Sequence, residues 1–244
     1  MNKYSFVIPC YNCGNFIEKN ILKLEHKLKK LNIKYELILI DDGSSDKTFK
    51  IINYISKKNK LIKVIKNKKN TGKSYSSIKA INKSKFRNII LIDCDLPYFS
   101  SLRNIIFALE KDNQLVIINR KIKESKLIIK NINMYQIIRY LIGSIIAYIN
   151  LKVLKLEISG GDSQAGLKGF KKIKDFNKLK FISKKFFFDL ELILIYSKKK
   201  LKIQSIKTNY SIPNKSSIKI FNFFKNLEIL KELFHVINKY KKYL

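Results

Sequence analysis

Two aliphatic runs that end in aspartate clusters constrain the fold of this chain more than any other feature. Residues 37–40 (LILI) lead into residues 41–46 (DDGSSD), and residues 89–92 (IILI) lead into residues 93–95 (DCD). Uninterrupted aliphatic runs are typical of strands buried on both faces of a parallel sheet. In open α/β sheets, ligands bind beyond the carboxyl ends of such strands. The pattern therefore predicts an α/β domain whose ligand site contains both clusters.

The acidic clusters stand out because the rest of the chain is strongly basic. Five of the nine aspartates lie in these clusters, although the net charge is +33. Carboxylates so close together repel one another unless a cation neutralises them, and a divalent cation is the usual partner. We expect Asp93 and Asp95 to bind Mg²⁺ or another hard divalent cation, because such ions take carboxylate oxygens together with substrate phosphates.

Short strands alternate with helical segments through the first half of the sequence. We predict strands at residues 5–8, 35–40, 61–65, 88–92 and 115–118, with helices between them. Pro9 is expected to end the first strand. This rhythm predicts a Rossmann-like, mostly parallel sheet flanked by helices.

The regular alternation fades after Arg120. We predict a long apolar helix over residues 132–154, interrupted at Gly143, then a short strand within 164–170, a helix over 186–196 and a last strand over 200–210. The tail has apolar residues at helical spacing with lysines opposite, which predicts an amphipathic helix; they are Ile220, Phe224, Leu227, Leu230, Phe234 and Ile237. We expect one domain over residues 1–215 and a helical appendage over 216–244.

The composition narrows the class of partner. The cations comprise 47 Lys and four Arg, spread along the whole chain. Base recognition in nucleic acids depends on arginine, so a nucleic-acid partner is disfavoured, whereas anionic lipids and phosphorylated ligands suit such a surface. No run reaches about 18 uninterrupted apolar residues, the length of a membrane-spanning helix, and the N-terminus does not resemble a signal peptide. We expect a cytoplasmic protein.

Cys10 and Cys13 form a C-x-x-C pair between a strand and a helix. That placement fits a redox motif, and a zinc site would need further ligands from Cys94, His26 or His235. Neither histidine shows ligand spacing. The favoured interpretation is two small residues in the turn of a reduced protein.

Six motifs in the order of one known family make the interpretation specific. The segments are 5–12 (SFVIPCYN), 41–46 (DDGSSD), 70–73 (NTGK), 93–96 (DCDL), 162–168 (DSQAGLK) and 188–192 (FDLEL). Together they resemble the family-2 glycosyltransferases of the GT-A fold, and the last two resemble the dolichyl/polyprenyl-phosphate sugar synthase branch. The resemblance covers about residues 4–215, with Leu167 in place of that branch's phenylalanine.

The resemblance implies an enzyme that transfers one sugar, with inversion, from a UDP- or GDP-linked donor to a polyprenyl phosphate. It implies Mg²⁺ or Mn²⁺ at Asp93 and Asp95, and catalytic roles for Asp95, Asp162 and Arg139. The residues that it implies for the nucleotide-sugar are Pro9, Tyr11, Asn12, Asp41, Asp42, Lys73, Asp93, Arg120 and Gln164.

The residues themselves mildly favour a phosphate acceptor. A sugar hydroxyl needs a general base, usually a carboxylate, whereas a phosphate is already anionic at neutral pH. The second half offers Asp162, Asp189 and Glu191 as candidate bases, against an excess of cations. Two alternatives stay open: a family-2 enzyme that extends a glycan or lipid-linked saccharide, and a non-catalytic basic binding protein.

A lipid acceptor requires contact with the bilayer. We expect the protein to lie peripherally on the cytoplasmic face of the membrane, with its lysines attracted to anionic lipids. The tail helix is predicted either to pack on the domain or to lie in the membrane interface. The helix over 132–154 is expected to be a core or lid helix in preference to a membrane-contacting one.

Overall fold

A seven-stranded sheet with helices on both faces forms the body of the protein. The computed structural model describes residues 2–128, 133–212 and 223–241. In the first half, strands and helices alternate as β1 (Lys3–Cys10), α1 (Ile17–Lys30), β2 (Lys34–Asp41), α2 (Thr48–Lys58), β3 (Ile62–Lys66), α3 (Lys73–Asn82), β4 (Asn88–Ile92), α4 (Leu102–Glu110) and β5 (Leu115–Ile118). Each element coincides with a predicted one to within a few residues.

The second half adds β6 (Lys126–Leu127), α5 (Met134–Lys152), β7 (Leu167–Lys171), α6 (Phe188–Lys198), β8 (Ile203–Ile206), β9 (Asn209–Tyr210) and α7 (Phe223–Lys241). The large sheet has the order β3-β2-β1-β4-β7-β5-β8. Strand β7 is antiparallel to β4 and β5, and the other described pairs in this sheet are parallel. The predicted mostly parallel α/β sheet is confirmed.

The apolar core forms two layers, one on each face of the sheet, because successive side chains of a strand point to opposite faces. Phe6 and Ile8 lie in the apolar layer that includes helices α1, α2 and α4, whereas Val7 lies in the layer of α3, α6 and α7. Side chains of a strand point to opposite faces in turn, so a strand covered on both faces must be apolar throughout. This explains the aliphatic runs and places their acidic ends at one edge of the sheet.

Three predicted boundaries need correction. Strand β1 passes through Pro9 and ends at Cys10. The described pairing of β1 with β4 stops at Val7. Pro9, which has no N–H to donate, therefore lies beyond the last residue of β1 that pairs with β4. The predicted strand over 200–210 is two strands, because β9 leaves the main sheet to pair with β6. Helix α5 continues through Gly143, where an added Cβ would have no atom from another part of the chain within 4 Å.

Helix α5 is largely exposed, although it is apolar. By length and composition it is the one helix in the described residues that could cross a membrane, with a mean hydropathy of 1.2, yet only 17% of that window is buried. As expected, it is not an uninterrupted apolar run of about 18 residues, because Gln136 and Arg139 lie within it; its apolar character is that of its average composition. Of the two expected forms, a core helix or a lid helix, the core form is not found, because one long stripe faces solvent, formed by Met134, Ile137, Leu141, Ile145 and Tyr148.

Helix α7 packs on the domain through a different face from the one predicted. Leu233, Val236 and Tyr240 are buried against the layer of α3 and α6. Of the predicted apolar face, Leu227, Leu230 and Phe234 are exposed, whereas Ile237 is partly buried and packs against this layer. Ile218 and Ile220 lie outside the described residues, as does the side chain of Phe224.

Candidate active site

The carboxyl ends of β1 and β2 meet in two interlocked loops. Asn12, which has a left-handed φ of 48°, accepts a hydrogen bond from Ser45 N at 2.9 Å through its side chain. Its backbone N–H donates to Ser44 Oγ at 3.0 Å. Pro9 is buried at the end of β1, and Tyr11 is exposed beside the loop. The structure thus brings these predicted nucleotide-binding residues to one edge, with Asn12 fixing the loop.

Asp42 is buried and fully engaged with the chain. One carboxylate oxygen accepts hydrogen bonds from Asn67, from Thr71 N and Oγ1, and from Ser76 Oγ, at 2.8 to 3.0 Å. The other oxygen accepts from Gly72 N at 2.9 Å. Asp41, also buried, accepts from the N–H of Ser44. The predicted nucleotide residue Asp42 therefore anchors the loop that leads to Lys73.

That loop is held close to the second half of the chain by Gly72. Its φ is +97°, and a Cβ at this position would lie 2.6 Å from the carbonyl oxygen of Lys184. Next to it, Ser74 Oγ contacts Ser183 Oγ at 3.0 Å and accepts a hydrogen bond from Phe188 N. Both the left-handed backbone and the close approach require glycine at this position. The start of α3 is thereby fixed against the start of α6.

The two aspartates of the D-x-D motif lie at the end of β4 beside the loop before β7. The N–H of Asp93 donates to the carbonyl of Gly166 at 2.9 Å, and a Cβ on Gly166 would lie 2.9 Å from Asp93 Cγ. Desolvation in the cleft and the charge of Asp93 raise the pKa of Asp95. Burial and a like charge both disfavour the ionised form of Asp95, so a cation beside it would favour that form. The neighbouring carboxylates of Asp93 and Asp95, the second open to solvent, suit a hard divalent cation that also takes oxygens from a substrate.

A chain of alternating charges runs from Asp93 into the interior. Lys73 Nζ lies 2.6 Å from Asp93 Oδ1 and 3.8 Å from Asp189 Oδ2. The other oxygen of Asp189 is 2.6 Å from the ammonium of Lys168, and both of these side chains are buried. Burial would lower the pKa of Lys73, but the charges of Asp93 and Asp189 outweigh it and raise that pKa. Lys73 is therefore held as a cation between two carboxylates.

Arg120 and Asp162 form a two-point ion pair at the other side of the motif. Arg120 donates from Nε and Nη2 to the two oxygens of Asp162, each at 2.7 Å, and from its backbone N–H at 2.8 Å. Burial opposes ionisation of Asp162, but the bonds and charge of Arg120 outweigh it and lower the pKa of this carboxyl. Gln164 N also donates to Asp162. The predicted catalytic carboxylate is thus ionised but occupied, and it fixes Arg120.

Arg139 reaches the same region from α5. Its Nη1 is buried and lacks a hydrogen-bond partner within the described part of the chain. Its charge acts on Asp95 and on Tyr98, and Arg120 also forms a side-chain hydrogen bond with Tyr98. Two guanidinium groups therefore lie near the D-x-D motif, that of Arg120 held by Asp162 and that of Arg139 with an unsatisfied donor. An anion is the ligand that such a pair binds best.

The three cysteines lie beneath this site as free thiols. Cys10 and Cys13 are buried; the Cys10 thiol donates to the carbonyl oxygen of Ile8 at 3.4 Å, and the Cys13 sulfur accepts from Thr48 Oγ1 at 3.8 Å. Across residues 2–128, 133–212 and 223–241, no group of three or more His, Cys, Asp or Glu side chains is arranged to hold a metal ion. The cysteines pack against the apolar layer that includes α1 and α2.

The family follows from a match to a family model. The model described as "Glycosyl transferase family 2" matches residues 5–167, two thirds of the chain. This chain belongs to glycosyl transferase family 2. Sugar transfer is therefore its class of reaction.

Similarity to curated family-2 enzymes extends beyond the matched region. The chain is 25% identical to the dolichyl-phosphate beta-glucosyltransferase of Dictyostelium discoideum, over 97% of this chain and 74% of that protein. It is 26% identical to the dolichyl-phosphate beta-glucosyltransferase ALG5D of Trichomonas vaginalis, over 91% of this chain and 69% of that protein. The predicted resemblance to the dolichyl/polyprenyl-phosphate branch is confirmed.

A solved structure of another sugar-transferring enzyme shares the fold. Glucosyl-3-phosphoglycerate synthase from Mycobacterium tuberculosis, in complex with Mn²⁺ and UDP-glucose, superposes with a TM-score of 0.67 at 16% identity. The superposition covers 97% of this chain and 79% of that one. The GT-A fold expected from the motifs is thereby confirmed.

Some residues of the family-2 site had no predicted role. Lys168 belongs to a motif that the sequence showed, but its buried pairing with Asp189 joins β7 to α6, a contact that needs the tertiary structure. Tyr98 carries no motif. Its left-handed φ of 54°, together with that of Leu96 at 51°, marks a tight turn after the D-x-D. Such strained backbone clusters at functional sites, and only the structure shows it.

Proposed function

We propose that this family-2 enzyme transfers a single sugar, with inversion, from a UDP- or GDP-linked donor to a polyprenyl phosphate. The observation that carries the proposal is the convergence of Arg120 and Arg139 beside Asp95, together with the engagement of the nearby carboxylates. The site offers cations to the acceptor, and the candidate bases are already occupied.

The three candidate bases of the second half are each held by the chain. Asp162 is paired with Arg120, and Asp189 with Lys168. Glu191 is buried and accepts hydrogen bonds from the N–H groups of residues 182 and 183 and from Tyr240. A hydroxyl acceptor needs a free base within reach, whereas a phosphate with a second pKa of about 6 attacks as an anion. This arrangement favours the phosphate.

The donor would bind along the carboxyl edge of β1, β2 and β4. Tyr11 and Asn12 would contact the nucleotide base and ribose, with Asp41 nearby at the end of β2, and Lys73 would face the diphosphate. Asp93 and Asp95 would hold Mg²⁺ or Mn²⁺, and the complex of the mycobacterial relative with Mn²⁺ and UDP-glucose supports this assignment. A cation bound there would stabilise the charge that develops on the leaving diphosphate.

The remaining groups position the acceptor. Asp162 fixes the guanidinium of Arg120 by two hydrogen bonds. The Arg120 side chain is therefore already ordered and would lose little conformational entropy when the acceptor phosphate binds to it. Arg139 supplies an unpaired donor from the opposite side. Gln164, which follows Asp162, lies where it would contact the sugar. Direct attack of the acceptor oxygen opposite the leaving group inverts the anomeric carbon.

Helix α5 offers a route by which the lipid reaches this site. Arg139 lies on the same helix as the exposed apolar stripe, so one element borders both the acceptor pocket and the solvent. An amphipathic helix of this kind lies in a bilayer interface, and lysines add attraction to anionic headgroups. We place the protein peripherally on the cytoplasmic face, with α5 against the membrane.

Transfer assays with two acceptors separate the proposal from its alternatives. Purified protein is incubated with UDP- and GDP-linked sugars and with either undecaprenyl phosphate or a soluble oligosaccharide, in the presence of Mn²⁺. We expect product with the lipid phosphate alone. Product with the saccharide alone would identify an enzyme of glycan extension. If no sugar-nucleotide is consumed and Mn²⁺ with UDP or GDP leaves the melting temperature unchanged, the chain is a binding protein.

A further inference from the structure

Lys73 pairs with one carboxylate oxygen of the D-x-D motif. Asp93 Oδ2 faces Gly166, so closely that a Cβ there would collide with it. Asp93 Oδ1 points the other way, is buried, and has the ammonium of Lys73 at 2.6 Å as its ionic partner. A divalent cation bound through Asp93 must therefore share this carboxylate with the ammonium of Lys73.

Asp189 provides a second partner for the same ammonium. Its Oδ2 lies 3.8 Å from Lys73, and its Oδ1 is neutralised by Lys168. The four groups Asp93, Lys73, Asp189 and Lys168 have no net charge when all are ionised. Adding a divalent cation to this set leaves Lys73 facing a like charge, unless a further anion enters. The diphosphate of a donor is such an anion.

We propose that Lys73 is an exchangeable counter-ion that couples the binding of the divalent cation to that of the donor diphosphate. With Asp93 paired to Lys73, the cation binds weakly. When the diphosphate enters, the ammonium turns to it while Asp189 keeps it nearby, and Asp93 Oδ1 becomes available. Each ligand then strengthens the other by the same factor, as linkage requires. This inference rests on the proposed metal-assisted function of Asp93 and Asp95.

The test measures Mn²⁺ binding directly, by the loss of the electron paramagnetic resonance signal of free Mn²⁺, with and without UDP or GDP. A neighbouring charge changes the proton affinity of a carboxylate by about one to three pKa units, and its affinity for another cation should respond alike. Lys73→Met should therefore bind Mn²⁺ without nucleotide at least about tenfold more tightly than the wild type. The factor by which nucleotide improves Mn²⁺ binding should fall about as much.

Three variants make the result specific. Lys68→Met changes the net charge equally at an exposed position of the preceding loop and should behave as the wild type. Lys73→Arg keeps the charge and should keep most of the coupling. In an Asp93→Asn background, Lys73→Met should no longer tighten Mn²⁺ binding, because the two residues act on one another.

The outcomes separate this inference from the proposed function. Wild-type protein that binds Mn²⁺ with nucleotide, together with a Lys73→Met variant of unchanged Mn²⁺ affinity, would overturn the counter-ion role alone. Absence of Mn²⁺ binding in wild type and variant, with or without nucleotide, would overturn both. Circular dichroism of each variant shows whether it is folded, and a misfolded Lys73→Met is replaced by Lys73→Gln, with the same expectation.

Discussion

Two buried carboxylates, Asp42 and Asp162, position the cationic side chains of Lys73 and Arg120. Asp42 accepts five hydrogen bonds that shape the loop before Lys73, and Asp162 fixes Arg120. Asp162 and Arg120 form a largely buried ion pair, and loss of one partner would leave the other unpaired at a cost of about 3 to 5 kcal/mol. The proximity of Asp42 and Asp162 to the site could be read from the sequence, but their role as supports required the bonds.

Asp162→Asn should impair sugar transfer more than donor binding. The amide keeps the shape of the side chain but loses the charge that fixes Arg120, and misplacement of such a group by about 1 Å costs roughly a hundredfold in turnover. We expect turnover to fall by about tenfold to a hundredfold, with UDP or GDP affinity nearly unchanged. Steady-state kinetics and nucleotide titration measure the two effects.

Asp175→Asn serves as the matched control, because Asp175 forms an exposed pair with Lys178 at 3.1 Å. Weaker nucleotide binding with intact turnover in Asp162→Asn would mean that the donor and acceptor halves are reversed. The pKa of Asp162 is lowered on folding, so its charge stabilises the protein above its unfolded pKa of about 3.9. The stability difference between wild type and Asp162→Asn should be constant from about pH 8 to 5 and shrink below about pH 4.

Asp95→Ala should remove metal-dependent binding without unfolding the protein. Asp95 is exposed at the cleft, so its loss would remove a proposed cation ligand and relieve repulsion with Asp93. We expect turnover to be lost and the Mn²⁺-dependent increase in UDP or GDP affinity to disappear, while the melting temperature changes little. Full activity of this variant, or of the wild type in excess EDTA, would contradict the metal assignment.

Among the loops and helices, the loop before β7 comes close to the D-x-D motif at Gly166. Gly166→Ala places a methyl group against the carboxylate of Asp93 and against Pro97, at about van der Waals overlap. We expect Mn²⁺-dependent nucleotide binding to weaken by at least about tenfold, since displacement by a few tenths of an ångström disturbs a cation ligand. Titration with Mn²⁺ measures the effect.

Gly143→Ala is the control for this substitution. Its added methyl group meets open space within α5, where alanine favours the helix by about 0.5 to 1 kcal/mol over glycine. This variant should keep nucleotide binding and melt slightly higher. Equal effects of the two alanines on Mn²⁺ binding would argue against the steric explanation.

Helices α5 and α7 differ in how much apolar surface they leave for a membrane. Helix α7 is anchored by Val236 and by Glu232, which accepts hydrogen bonds from the backbone of residues 185 to 187. We therefore expect Leu141→Ser with Ile145→Ser, on α5, to weaken sedimentation with anionic liposomes more than Leu230→Ser with Phe234→Ser, on α7.

The salt dependence of the same assay tests the role of the lysines. Binding of the wild type should be strong at low salt and largely lost at about 1 M, where screening acts over about 3 Å. Equal sedimentation with neutral and anionic liposomes, or none with either, would contradict electrostatic docking. A larger loss with the α7 pair than with the α5 pair would move the membrane contact to the tail.

At the scale of the whole molecule, the sequence predicted the sheet and the ends of its strands because burial on both faces imposes continuous aliphatic runs. It also placed Asp93, Asp95 and Lys73 together, since the carboxyl ends of parallel strands share one edge. It did not predict which face of α7 is buried, because Leu233 and Leu230 are equally apolar and only the position of the docking surface distinguishes them. The ion pair between Lys168 and Asp189 could not be predicted either, because it depends on how β7 and α6 pack together.

In the proposed reaction, the sugar acceptor is an anion that Arg120 and Arg139 hold, and it attacks without a general base. Its most direct test compares undecaprenyl phosphate with undecaprenol, the same lipid without the phosphate, under identical detergent, donor and Mn²⁺ conditions. We expect sugar transfer to undecaprenyl phosphate and none to undecaprenol. Transfer to the phosphate should be strongly reduced in Arg139→Ala. Equal transfer to undecaprenol would contradict the proposed reaction.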